Sequence, residues 1–151
     1  MLLRPGYVTR YMMEQVLKKS VIDLSNTKPT GEVKSPGMKY THYKPKADVW
    51  LIDGPIEKMV DYYHHLERQH PHQFIAVICE TEYQSYFPRR VRPLGSIANQ
   101  NEIAHNLFSA LRDMDAWGAE LVLIHHLSDE GLGQAIMNRL VKAAGYHIVT
   151  L

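Results

Sequence analysis

Five groups of residues in this 151-residue sequence could do chemistry. Asp129-Glu130-Gly131-Leu132-Gly133 lies where an apolar run hands over to an amphipathic one. Glycine-rich helix N-termini offer backbone amides to anions, so Gly131 and Gly133 form a candidate anion site. The turn departs from the dinucleotide fingerprint, because Ile136 stands where the third glycine belongs, and no P-loop lysine follows. A plainer reading makes Asp129 an N-cap and assigns the glycines to close helix-to-strand packing.

The histidines form the second group: His64, His65, His70 and His72 cluster, and His125-His126 end an apolar run. Zinc needs three or four converging ligands, usually two of them at i and i+3 or i+4 on a helix, and the segment around His64 offers no such pair. The sequence therefore predicts surface histidines and no metal site. Third, Cys79, His125 and Asp129 have the composition of a nucleophilic triad. Cys79, however, ends the unbroken apolar run Phe74-Ile75-Ala76-Val77-Ile78-Cys79, where burial makes a thiol a poor nucleophile, so no catalytic residue is assigned. Fourth, Tyr83, Tyr86, Phe87, Arg89, Arg90 and Arg92 interleave aromatic and cationic side chains, as surfaces for single-stranded RNA do. A weak RNA contact, a partner surface and an ordinary loop all fit that pattern.

The fifth group is Ser35-Pro36-Gly37-Met38-Lys39-Tyr40-Thr41-His42-Tyr43-Lys44-Pro45. Pro36 and Pro45 fix φ and restrict the residues before them, and Pro-Gly suits a type II turn, so the stretch reads as an extended connector. Extended backbone sends Met38, Tyr40 and His42 one way and Lys39, Thr41 and Tyr43 the other. The tyrosines can stack or hydrogen-bond, His42 and Lys39 add donors and charge, and Arg4 can make a bidentate contact to a phosphate. These are the parts of a lid, or of a strap packed on a domain surface.

The elements that must hold these residues follow from pattern. Thr9 is an expected N-cap for a short helix over residues 10–19, with Met13, Val16 and Leu17 as its apolar edge. A helix of that length is marginal alone and needs a surface to dock on. Residues 21–24 could add a strand, and residues 25–34 read as loop. From Asp48 onward, strand-like and helical segments alternate about four times. Strands are expected at residues 49–52, 74–79, 120–124 and 147–150, with a short one within 91–96. Helices are expected at residues 55–69, with Ile56, Val60, Tyr63 and Leu66 inward, and at residues 101–115, with Ile103, Leu107, Ala110 and Met114 inward. A third follows the Gly131 turn, with Leu132, Ile136, Leu140 and Ala143 on the sheet and Gly145 as its stop. Unbroken apolar strands separated by helices predict right-handed crossovers and an α/β, Rossmann-like, doubly wound, mostly parallel sheet.

Composition narrows the function classes. With 45% hydrophobic and 22% charged residues the chain is globular in type and long enough for one sizeable core. No apolar run approaches the ~20 residues of a membrane span, and Met1-Leu2-Leu3-Arg4-Pro5 lacks the apolar segment of a signal peptide, so a cytoplasmic protein without membrane contact is expected. Cys79 is the single cysteine, which excludes an intrachain disulfide and a thiol zinc cluster. The net charge of +1 hides an asymmetry: residues 1–46 sum to +6 and residues 47–151 to −5. Such an arm is either a solvated linker or a contact for an anionic substrate or nucleic acid.

The connector also carries a resemblance. Ser-Pro-Gly-Met-Lys-Tyr-x-His-Tyr-x-Pro at residues 35–45 resembles the interdomain linker of the two-domain threonylcarbamoyl-AMP synthases. Leu2-Leu3-Arg4-Pro5-Gly6-x-x-Thr9 resembles the end of that family's YrdC-like catalytic domain. Gly131-Leu132-Gly133-Gln134-Ala135-Ile136-Met137-Asn138-Arg139-Leu140 resembles a signature of its C-terminal domain. The resemblance implies that residues 1–24 are the tail end of the catalytic domain, residues 25–46 the linker, and residues 47–151 the Rossmann-like C-terminal domain. The catalytic domain itself would lie before Met1. The family's reaction turns ATP, L-threonine and bicarbonate into threonylcarbamoyl-AMP and pyrophosphate, for tRNA threonylcarbamoyladenosine modification. By motif, Arg4 and a linker tyrosine, Tyr43 before Tyr40, together with His42 and Lys39, would contact ATP as a lid. ATP with Mg belongs to the full-length family; for this chain alone no cofactor and no catalysis are expected, and its partner would be a YrdC-like catalytic domain or subunit. Two other readings stand beside this one: a free-standing Rossmann-like module binding nucleotide or RNA near residues 129–133, and a non-functional remnant.

Overall fold

Short apolar runs with no polar interruption suit strands covered on both faces, and that is what they become. The computed structural model describes residues 8–23 and 44–151. Five strands, β1 (Asp48–Asp53), β2 (Ile75–Cys79), β3 (Val91–Pro93), β4 (Leu121–His125) and β5 (Ile148–Thr150), form one sheet in the order β3-β2-β4-β1-β5. Every pairing is parallel. β2 and β4 are buried at every residue, as their composition requires.

Among the described residues four helices accompany the sheet: α1 (Arg10–Leu17), α2 (Ile56–Gln69), α3 (Gln100–Trp117) and α4 (Gly133–Ala143). Parallel neighbours force crossovers, and their right-handedness decides which face each helix covers. β1 leads through α2 to β2, passing over β4, whereas β3 leads through α3 to β4 and β4 through α4 to β5, in the opposite direction along the sheet. The helices therefore divide between the faces. Ile56, Met59, Tyr63 and Leu66 of α2 pack on Ile75, Val77, Cys79, Leu121 and Leu123. Ile103, Leu107 and Met114 of α3 and Ile136 and Leu140 of α4 pack on Leu51, Ile78, Val122 and Ile124. The expected α/β doubly wound sheet is thus present, and it is parallel throughout.

The helix ends carry physical causes. Thr9 caps α1 by accepting from the Met12 amide at 3.2 Å, and Asn99 caps α3 by accepting from Glu102 N–H at the same distance. Gly118 ends α3 in the left-handed region at φ 73°. Three expectations shift. On α2 the inward position is Met59, fully buried, while Val60 is only partly covered, because the helix lies one position further round. The strand expected over residues 21–24 shows only an isolated bridge at Asp23 among its described residues, and Leu24 lies outside them. α1 stops at Leu17, two residues early, where Lys18 turns left-handed at φ 51°.

Candidate functional site

In an open parallel sheet, ligands collect outside the carboxyl ends of the strands, where neighbouring strands send their connections to opposite faces. β1 and β4 are that pair here: the β1–α2 loop leaves toward one face and the β4–α4 loop toward the other. Between them lies a crevice of about 550 Å³, lined by Asp53, Gly54, Tyr83, His125, Ser128 and Asp129 among others.

Register builds its floor. Ile52 sits opposite His125, and Ile78 opposite Ile124, so His125 emerges between the ends of β1 and β2. Glu80 is the first residue after β2, and both it and His125 are more than nine-tenths buried. The His125 Nδ1 lies 2.8 Å from Glu80 Oε2, and Nε2 lies 3.3 Å from the Gly54 carbonyl oxygen. The Tyr83 ring, presented by a 3-10 turn over Thr81–Tyr86, meets the imidazole edge-on at 5.4 Å. Burial works against charge on His125, yet the Glu80 hydrogen bond and charge, the Gly54 carbonyl and Asp53 outweigh it, and the imidazole's pKa is raised above its ordinary 6.5. Tyr83 is likewise raised, by burial first and then by Glu80 and Glu57. Among the described residues Asp53, Glu57 and Asp129 line the crevice and no lysine or arginine does.

His125 corrects the expectation of surface histidines: it is buried and hydrogen-bonded to Glu80. The composition triad also dissolves in space. His125 turns to Glu80, Asp129 faces His126 at 3.7 Å, and the Cys79 thiol is fully buried and pushed up to about 12 by burial and by Glu80. His64 approaches Glu67 at 3.7 Å, and no three metal-ligating side chains converge among the described residues.

At the Gly131 turn, Asp129 is not the N-cap. α4 starts later, with Leu132 in the capping place and no side-chain cap bond. The glycines have packing reasons: Gly131 adopts φ 57°, and a Cβ on Gly133 would overlap the Ser128 carbonyl. The Gly133 amide donates to the Glu130 carbonyl at 2.9 Å. Several members of the aromatic and cationic stretch make contacts within the fold, while Tyr86 is exposed. Phe87 meets Tyr63 edge-on at 5.5 Å, Arg89 pairs with Glu67 at 3.1 Å, the Arg90 guanidinium lies over Phe74 at 4.0 Å, and Arg92 pairs with Asp113 at 2.7 Å. Arg4, Lys39, Tyr40, His42 and Tyr43 lie outside the described residues.

The arm supplies a second feature. Val8, Tyr11, Met12, Val16 and Leu17 are all exposed, Val16 at 82%, and α1 has no buried residue. Between α1 and the β4–α4 loop runs a groove of about 450 Å³ lined by Thr9, Tyr11, Glu14, Asp129, Glu130 and Gly131. Gln134 Nε2 donates to Asp23 Oδ2 at 2.6 Å, fastening the far end of the arm to the first turn of α4.

Glu80 and His125 were missed as a pair. The available signal was a polar residue directly after each of two wholly apolar strands, at the carboxyl ends that a parallel sheet brings together.

Fold and crevice together define a doubly wound α/β domain carrying an N-terminal arm. The chain belongs to the family described as threonylcarbamoyl-AMP synthase, C-terminal domain, whose model matches residues 8–145. It is 37% identical over 156 residues to the threonylcarbamoyl-AMP synthase of Pyrococcus abyssi and 34% identical over 151 residues to that of Bacillus subtilis. Both alignments cover 98% of this chain, but only 43% and 42% of those proteins, so the chain spans less than half the length of these curated relatives. Among solved structures, P. abyssi Sua5 complexed with L-threonine superposes with a TM-score of 0.82 at 37% identity, covering 99% of this chain and 43% of that one. The C-terminal Sua5 domain of a hypothetical Pyrococcus horikoshii Sua5 protein covers 71% of this chain and 99% of its own, with a TM-score of 0.53 at 36% identity. No helix among the described residues is long and apolar enough to cross a membrane.

Proposed function

We propose that this chain acts as the accessory, C-terminal portion of a threonylcarbamoyl-AMP synthase, completing a YrdC-like catalytic domain on which its arm docks. The reaction served is the conversion of ATP, L-threonine and bicarbonate to threonylcarbamoyl-AMP and pyrophosphate, with Mg accompanying ATP, in tRNA threonylcarbamoyladenosine modification. The observation that carries the docking is α1. Eight residues cannot hold a helix in water by themselves, and this one leaves Tyr11, Met12, Val16 and Leu17 exposed, with no surface among the described residues burying any residue of it, so a further surface is expected to hold it.

In this reading residues 1–24 extend the catalytic domain, residues 25–46 are the linker, and residues 47–151 are the C-terminal domain. Arg4, Tyr43 or Tyr40, His42 and Lys39 contact the nucleotide as a lid. Such a lid positions a nucleotide and excludes water, and in this reading it acts together with the catalytic domain.

Adding the chain to a separately produced YrdC-like domain tests this. The rate of pyrophosphate release from ATP should change, and the change should disappear with Arg4→Ala together with Tyr43→Ala. An unaltered rate, with no binding between the two, rules the proposal out.

A further inference from the structure

The crevice floor contains a buried histidine and a buried carboxyl group in contact, which the docking arm does not use. His125 has two ring nitrogens, and each one faces an acceptor: a Glu80 carboxylate oxygen at 2.8 Å and the Gly54 carbonyl oxygen at 3.3 Å. A neutral imidazole carries one N–H and one lone pair, so either tautomer satisfies one neighbour and turns its lone pair on the other. Only the imidazolium donates to both.

These two acceptors belong to different parts of the fold. Glu80 directly follows β2, His125 ends β4, and Gly54 is the turn between β1 and α2, so one side chain ties three strand ends together. Gly54 is itself tightly seated: its φ is 158°, and a Cβ there would come within 3.1 Å of the Leu151 carbonyl oxygen. The neighbouring Asp53 carbonyl accepts from the Leu151 amide at 2.9 Å. The Gly54 carbonyl therefore has its position set from behind and its bonding decided in front.

We propose that His125 is a protonation-dependent latch: as the imidazolium it holds the β1–α2 loop against the ends of β2 and β4, and loss of its proton releases the Gly54 carbonyl and loosens that wall of the crevice. The acidic groups facing it favour the latched form. Glu80 comes from the end of β2, Asp53 from the end of β1, Glu57 from the first turn of α2, and Tyr83 offers its ring from the 3-10 turn. On the β4–α4 loop, His126 also lines the crevice, with Asp129 facing it at 3.7 Å, and among the described residues no lysine or arginine lines the crevice. The raised pKa of the imidazole agrees with this set of neighbours.

The test is a pH titration of the whole 151-residue chain followed by NMR, reading the His125 ring together with the Gly54 and Ile56 backbone amides. The latch predicts a His125 midpoint above 6.5, with both amides shifting at that same midpoint. In Glu80→Gln the midpoint should fall below the wild-type one, because burial stays while the carboxylate goes. A wild-type midpoint at or below 6.5, amides indifferent to it, or an unmoved midpoint in Glu80→Gln would each overturn the proposal. Denaturation of His125→Gln supplies a further readout: its deficit against wild type should be larger at pH 6 than at pH 9, and an equal deficit at both contradicts the latch.

Discussion

Helices α1 and α3 both carry apolar side chains, put to opposite use. In α3, Ile103, Leu107, Ala110, Leu111 and Met114 are all buried on the sheet, whereas in α1 no residue is buried and Val16 is 82% exposed. Both helices have a proper N-cap, Thr9 and Asn99. Local signals therefore suffice to start a helix in either place, and only the body supplies the burial that keeps one. What differs is whether the partner surface lies within the described chain.

That contrast can be broken from either side, and the largest effects belong to the body. Leu51 is fully buried in the larger core, so Leu51→Ala should destabilise the domain by about 3 kcal/mol in chemical denaturation. Val16→Ser on α1 should move the same midpoint by less than about 0.5 kcal/mol. A comparable loss from both would mean that the arm is part of the core. Gly133→Ala should follow with about 2 kcal/mol, since its Cβ meets the backbone of Ser128 rather than a side chain that can swing away.

A smaller effect is set by pH. The folded pKa of His125 is raised, so its contribution is complete below the unfolded value of 6.5 and is lost as pH rises through the folded value. Stability should decline across that window relative to His125→Gln, as differential denaturation would show. Thr9→Ala is the mildest, removing about 1 kcal/mol from α1 alone, and would be seen as fraying of residues 10–13 in amide exchange with the global transition unchanged.

Most of the body was legible because its strands are unbroken apolar runs, and a run such as Phe74-Ile75-Ala76-Val77-Ile78-Cys79 leaves little choice of environment. Turn glycines were equally plain, since Gly118 and Gly145 occupy left-handed positions that few other residues tolerate. The Asp129 cap was misread because an acidic residue before glycines imitates a helix start, while the chain spends three further residues turning before α4 begins. Met59 replaced Val60 because a period of 3.6 leaves the edge of a helical face ambiguous by one position. Glu80 and His125 stayed hidden for a different reason: they are 45 residues apart, and only the insertion of β4 beside β2 brings them together.

The account rests on α1 being half of an interface. Isothermal titration of the chain into a YrdC-like catalytic domain, wild type against the double variant Val16→Asp and Leu17→Asp, tests this most directly. Saturable binding by the wild type, weakened at least about tenfold in the variant, is the expected result. Equal binding by both proteins, or none by the wild type, would contradict it.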